Sequence, residues 1–227
     1  KKKKTFKSNL YGCKNILETI HKYNINCKFL NATSSEMYGK IHSKIKLSST
    51  KKPVNPYGKA KKLSFNLVKK YREKYKLKTY NAIIFNTESY LREKNFLIPK
   101  ICLAAIKAYK YGKKTSFNNI LVSREWNWCD EQSNYLIKFL NKKPQDFILS
   151  NGKCFSIKQM LKFAFQKFNL DYQNFITVKN QSLKKNEIRI KKSDYLSCLK
   201  RNKIKRKNVI YGEKIILKLI KYYLNEK

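Results

Sequence analysis

The stretch "NAIIFN", residues 81–86, sets four apolar side chains in a row between two asparagines. A run this short and this apolar reads as a strand covered on both faces, as in a parallel sheet, rather than as the alternating pattern of a half-exposed antiparallel strand. Ahead of it, "CKFLNAT" (residues 27–33) is a second strand candidate, and "SSEMYG" (residues 34–39) leaves its end. Between the two, Pro56 stands where a helix can begin, and Ala60, Leu63, Leu67, Tyr71 and Tyr75 mark the expected inward face of that helix. Helices alternating with buried strands make the class α/β with a largely parallel sheet.

The same reading extends to both ends of the chain. Phe6, Leu10, Cys13, Leu17 and Ile20 recur at intervals of three and four and form one helical stripe. On the other side, a helix begins near Pro99 and runs through "KICLAAIKAYKYG", and "SREWNW" (residues 123–128) is expected in a loop. A helix over roughly residues 131–140 and a strand at "DFILS" beyond Pro144 come next. Ser156 then caps a helix of Met160, Phe163, Ala164 and Phe168, with Gln159 completing a capping box, and "GEKIILKLIKYYL" supplies a last amphipathic helix. No internal repeat or Gly/Pro-rich linker divides the chain. A dinucleotide-binding α/β domain normally opens with a Gly-x-Gly-x-x-Gly-like turn, and none of the six glycines is so arranged.

Composition excludes several function classes. A chain of 227 residues with 42% hydrophobic residues can bury a sizeable core and is too apolar for a disordered polycation. The net charge of +39 would point to nucleic acid were it concentrated. Instead the basic residues run from end to end and only six are Arg, so solvated lysines supplied by AT-rich codons explain the charge better than a specific nucleic-acid partner. The six cysteines hold no Cys-x-x-Cys pair and there are two histidines, so no metal site is expected. No apolar run reaches the length of a membrane span, and the "KKKK" start is not followed by a signal-peptide core; a reduced, cytoplasmic setting without membrane contact is expected.

Tyr57 stands four positions ahead of Lys61, one helical turn away on the same face, where an ammonium can favour the phenolate and make a tyrosine a general base. Spacing alone decides nothing, because about three such matches are expected by chance in a chain this rich in lysine and four occur, starting at Tyr57, Tyr90, Tyr109 and Tyr223. Tyr57 is singled out by its surroundings. Ser34 and Glu36 lie at the end of the preceding strand, where open parallel sheets place their ligand crevice. A serine there can hydrogen-bond a substrate hydroxyl, and a carboxylate can take a proton from carbon. Taken singly, Tyr57 is better read as a helix residue, Ser34 as a turn former and Glu36 as a solvated acid.

Together and in order, "NATSSEMYGK", "NPYGKAKKLSFNLVKKYREKYKL", "NAIIFNTESYLREKNFLIPKI", "SREW" and "DFILSNGKCFSIKQMLKFAF" resemble the GDP-mannose 4,6-dehydratase family, extended short-chain dehydrogenase/reductases. The resemblance implies an incomplete Rossmann-like parallel sheet flanked by helices. Residues 1–94 would form the later part of an NADP-binding domain with the catalytic residues, and residues 95–227 mainly a smaller sugar-nucleotide-binding α/β portion interleaved with the sheet. It implies that Tyr57, assisted by Lys61, removes the proton from the sugar 4-hydroxyl while NADP takes hydride from C4. Glu36 would then remove the C5 proton as water leaves C6, and the hydride would return to C6, with Ser34 holding a substrate hydroxyl. Tyr57, Lys61 and Arg92 match cofactor contacts, and Asn86, Lys100, Arg124 and Glu187 match contacts to the substrate, GDP-mannose.

The sequence departs from the family at Thr87, Tyr90, Leu91 and Lys184, and lacks roughly the first third of the family, including the glycine-rich turn. A complementing N-terminal segment, and a homo-oligomer once complete, follow as expected partners. The competing reading is a decayed, non-enzymatic remnant or partner subunit. Another NAD(P)-dependent sugar-nucleotide dehydratase or epimerase is disfavoured: the dTDP-glucose enzymes have an Asp-Glu pair where this chain has Ser35-Glu36, and the epimerases need no base at C5.

Overall fold

The computed structural model describes residues 2–40, 44–179, 190–191, 193–205 and 209–226. In chain order the elements begin with α1 (Lys2–Phe6), a π-helical turn (Lys7–Tyr11), α2 (Gly12–Lys22), β1 (Phe29–Ser34), a 3-10 turn (Ser35–Tyr38), α3 (Pro56–Tyr75) and β2 (Thr79–Ile84). They continue with β3 (Asn86–Glu88), α4 (Leu97–Tyr111), β4 (Thr115–Phe117), β5 (Ser123–Arg124), β6 (Trp126–Trp128), α5 (Cys129–Leu140) and β7 (Asp146–Leu149). The rest are β8 (Phe155–Ser156), α6 (Ile157–Gln166), a 3-10 turn (Tyr172–Asn174), β9 (Ile176–Val178), β10 (Ile190–Lys191), α7 (Tyr195–Arg201) and α8 (Glu213–Asn225). The chain divides into two compact units, one of residues 1–85, 132–152 and 193–207, the other of residues 86–131, 153–192 and 208–227.

The first unit is built on a parallel sheet in the order β1-β2-β7. Its strands are the apolar runs that the sequence marks out, and alternation gives them two different faces. On one face Phe147 stacks flat on Phe139 of α5, with ring centroids 3.9 Å apart, and the Tyr80 hydroxyl donates to the Leu140 and Lys142 carbonyls. The other face, under α3, carries a polar row beside the buried Ile83 and Ile148. Register places Asn31 beside Asn81 and Asn81 beside Asp146, and all three join one hydrogen-bonded row. Asn31 Nδ2 donates to Asn81 Oδ1 at 3.0 Å and Asn81 Nδ2 donates to Asp146 Oδ1 at 2.9 Å. Asn81 Nδ2 also reaches the Phe65 carbonyl of α3. Arg72 of α3 closes the row, donating to Asp146 Oδ1 at 2.6 Å and to the Thr79 carbonyl at 3.0 Å. This row fixes α3 along and across the sheet, and with it Tyr57 and Lys61 at the helix start.

The expected inward face of α3 holds at Ala60 and Tyr71 and fails at Leu63. Gly58, Ala60, Ser64, Phe65, Val68 and Tyr71 are the buried positions, Leu67 and Tyr75 are half-buried, and Leu63 is 44% exposed. A stripe chosen for apolar side chains alone skips Ser64, which is fully buried and accepts a hydrogen bond from Asn31. The N-terminal stripe holds better: Cys13, Leu17 and Ile20 of α2 are buried, with Cys13 and Leu17 packing against Val68 and Tyr71.

The second unit centres on α4, α6 and α8, whose Ile101, Cys102, Ala105, Leu161, Phe165, Ile216 and Leu219 share one apolar core. The Ser156–Gln159 capping box starts α6, each side chain bonding the other residue's backbone N–H. "SREWNW" is strand rather than loop. Ser123 and Arg124 pair antiparallel with Phe155 and Ser156, and Trp126–Trp128 run parallel to Asn86–Glu88 with both indoles buried. The two indoles supply the burial that a polar loop lacks.

Candidate active site

At the end of β1 the chain turns into the 3-10 segment, and Ser34 caps that turn by accepting from the Glu36 backbone N–H at 3.2 Å. The bond uses an oxygen lone pair of Ser34 and leaves its O–H proton to donate. The Glu36 carboxylate accepts a hydrogen bond from Asn55 Nδ2 at 3.2 Å, and Asn55 Oδ1 in turn accepts from the Gly58 backbone N–H at 2.7 Å as the N-cap of α3. The start of α3 is thus tied to the 3-10 turn by side chains and pressed against it by backbone. A Cβ on Gly58 would lie 2.5 Å from the Glu36 carbonyl oxygen and 3.1 Å from Pro53 Cβ, so only glycine allows the approach. Gly58→Ala is therefore expected to cost about 2 kcal/mol by overpacking and to push Glu36 away from Tyr57. A thermal unfolding curve matching that of the parent protein would contradict it.

Tyr57, one residue earlier, is 41% exposed and so open to a ligand. Lys61 lies one turn along, its ammonium 5.6 Å from the Tyr57 ring centroid. Lys61 Nζ donates to the Ala32 carbonyl of β1 at 2.8 Å, an oxygen that parallel register turns away from β2. Burial lowers the Lys61 pKa from its ordinary value, opposed by the Coulomb effect of the Cys13 thiol, which burial itself pushes up to about 11. The sequence reading places Cys13 on the N-terminal helical stripe and does not foresee its position near this lysine. Ser34, Glu36, Tyr57 and Lys61 thus all belong to the first unit, gathered where β1 ends and α3 begins. Asn55 is the participant that sequence reasoning missed, although an asparagine just ahead of Pro-Tyr is a recognisable N-cap signal.

Asn86, Arg92, Lys100 and Arg124 belong to the second unit. Asn86 opens β3, and its carbonyl accepts from Asn127 Nδ2 at 2.8 Å. Arg92 stacks on Phe96, 3.8 Å from the ring centroid, and its Nε lies 3.8 Å from Glu88 Oε2. Burial pushes the Glu88 carboxyl up to about 7 against the pull of Arg92. Lys100 Nζ donates to the Ser116 carbonyl at 2.8 Å and lies over the Phe117 ring, and Arg124 donates to the Ser123 carbonyl. Glu187 lies outside the described residues, as does Lys184. A surface cleft of about 390 Å³ in this unit, lined by Ile120, Lys158, Tyr172 and Gln173 among others, contains none of the expected site residues. Among the described residues no group of His, Cys, Asp and Glu could hold a metal ion, and no helix is long and apolar enough to cross a membrane.

The family model described as GDP-mannose 4,6 dehydratase matches residues 1–207. The chain is 31% identical over 159 residues to GDP-mannose 4,6 dehydratase 2 of Caenorhabditis elegans, a match covering 68% of this chain and 42% of the worm protein. It is 32% identical over 142 residues to the human GDP-mannose 4,6 dehydratase, covering 61% of this chain and 38% of that protein. The matched stretch thus spans about two fifths of each relative. Among solved structures, a dTDP-glucose 4,6-dehydratase of Bacillus anthracis in complex with NAD superposes with a TM-score of 0.83 at 16% identity, covering 97% of this chain and 69% of that one. RMD of Pseudomonas aeruginosa complexed with NADPH gives 0.81 at 16% identity, covering 94% and 72%. At such identity these two structures speak for the fold alone.

Proposed function

The chain belongs to the GDP-mannose 4,6-dehydratase family, and from that premise we propose that it carries the catalytic residues for converting GDP-mannose to GDP-4-keto-6-deoxymannose and water. The observation that carries the reading is the tie between Glu36 and the start of α3, which holds a carboxylate beside the helix turn of Tyr57 and Lys61. Tyr57 takes the proton of the sugar 4-hydroxyl, its phenolate favoured by the Lys61 ammonium. The resulting 4-keto group acidifies the C5 proton, which Glu36 removes and then gives to the hydroxide leaving C6, so that water departs; C5 regains a proton from solvent, to which Tyr57 releases the one taken from the 4-hydroxyl. Ser34, its oxygen engaged by the Glu36 N–H, donates its proton to a sugar oxygen and holds the ring in place.

A nicotinamide cofactor, NADP in this reading, supplies the hydride acceptor at C4 and the hydride donor at C6 when bound. The donors present fit one end of such a group: Lys61 presents an ammonium at the outer edge of β1 and Tyr57 an exposed phenol, both suited to a ribose and its nicotinamide. The pyrophosphate end needs the glycine-rich turn, which this sequence lacks. A complementing segment bearing that turn is therefore part of the proposal, as are Arg92 on the cofactor, Asn86, Lys100, Arg124 and Glu187 on the sugar nucleotide, a homo-oligomeric complete enzyme and a cytoplasmic setting.

One observation favours the second reading, a non-enzymatic remnant. Tyr90, at a position where the sequence departs from the family, is spent on packing, its ring 4.9 Å from Trp128 and 4.8 Å from Tyr222.

Incubation with GDP-mannose and NADP, with and without a separately expressed segment bearing the glycine-rich turn, decides between them. The 4-keto-6-deoxy product is expected with the segment present, and Tyr57→Phe is expected to slow its formation by about 10²-fold to 10⁴-fold. Absence of product in every combination would leave the remnant reading standing.

A further inference from the structure

We propose that Asn55 is a positioning residue for the Glu36 carboxylate, a role that rests on the reading of Glu36 as the base at C5. The Asn55 amide is used at both ends. Its oxygen accepts from the Gly58 N–H at 2.7 Å and its nitrogen donates to Glu36 Oε2 at 3.2 Å. Turning the amide over would set NH₂ against N–H and carbonyl against carboxylate, so the two neighbours fix its orientation.

Capping alone does not require asparagine. Serine, threonine or aspartate at an extended N-cap, here φ −136° and ψ 161°, would satisfy the helix equally well. Only asparagine offers both an acceptor for the helix and a neutral donor for a carboxylate at this reach. The rest of Glu36 is already held, its N–H by Ser34 and its carbonyl beneath Gly58. What remains is the side-chain torsion, and Asn55 restricts it. Because Asn55 also sets the first turn of α3, a single side chain fixes the base at C5 relative to Tyr57, which stands two residues further on. The separation between the two proton-accepting groups is thereby kept from one turnover to the next.

The test uses the complemented enzyme. Asn55→Ser keeps a cap but is too short to reach Glu36; it is expected to unfold at the parent temperature, keep the KM for GDP-mannose and lose about tenfold in kcat, the scale of a misplaced catalytic group. Its kinetic isotope effect with C5-deuterated GDP-mannose is expected to rise, because removal of the C5 proton becomes slower than the other steps. Asn55→Asp, which sets carboxylate against carboxylate, is expected to lose about a hundredfold. Parent values of kcat and isotope effect in both variants, with Glu36→Gln inactive, would overturn the role of Asn55 and leave the proposed activity standing. A fully active Glu36→Gln would overturn both. Independently of turnover, the side-chain amide proton resonances of Asn55 are expected to move on Glu36→Gln while the Gly58 backbone amide stays in place; unmoved Asn55 resonances would overturn the contact itself.

Discussion

Glu36→Gln is expected to lower formation of the 4-keto-6-deoxy sugar nucleotide by about 10³-fold or more, the contribution of a general base acting on carbon. Glutamine has the size of glutamate and can still accept from Asn55 Nδ2, so the turn that Ser34 caps is expected to survive and the unfolding temperature to stay in place. What is lost is the ability to take the C5 proton. Proton removal from the 4-hydroxyl depends on Tyr57 and Lys61 and not on Glu36, so the loss is confined to elimination. Turnover in deuterated water separates the two, since residual product from Glu36→Gln should be formed only as fast as an unassisted C5 exchange permits. A variant that eliminates water at the parent rate would remove Glu36 from the chemistry.

The largest expected effect on stability lies away from these groups. Asp146→Ala leaves the Arg72 guanidinium, whose side chain is 15% exposed, without its carboxylate, and takes from Asn81 one of its two acceptors. Breaking a buried ion pair from one side costs about 3–5 kcal/mol, and for this part-buried pair the low end of that range is expected. Because the row pins α3 to β2 and β7, a variant this destabilised should also loosen the start of α3. The double replacement Arg72→Met with Asp146→Leu is expected to recover part of the loss, since no orphan charge remains. Urea unfolding of the three proteins checks the order; a cost below about 1 kcal/mol for Asp146→Ala would mean that water already stands in for the carboxylate.

What the sequence makes legible here follows from how local each signal is. The start of α3 agrees with expectation because Pro56 acts on its own neighbours. The helix of residues 195–201 escapes notice because seven residues carry too few turns to show a period. The polar row escapes for another reason: Asn31, Asn81 and Asp146 look like interruptions of apolar runs until the register brings them together. In the candidate site, Tyr57 and Lys61 are visible through their shared helix turn. The second task of Asn55 depends on Glu36, 19 residues away, which no local pattern encodes.

The polar row also bears on how the sheet avoids assembling wrongly. Sliding one parallel strand by two residues keeps every side chain on its own face, and apolar contacts would hardly resist the slip. Moved that way, Asp146 would stand opposite Thr79 or Ile83 rather than Asn81, its charge stranded under a helix. Mispaired intermediates would therefore be short-lived, and the three polar residues act as a checksum on the alignment of their strands.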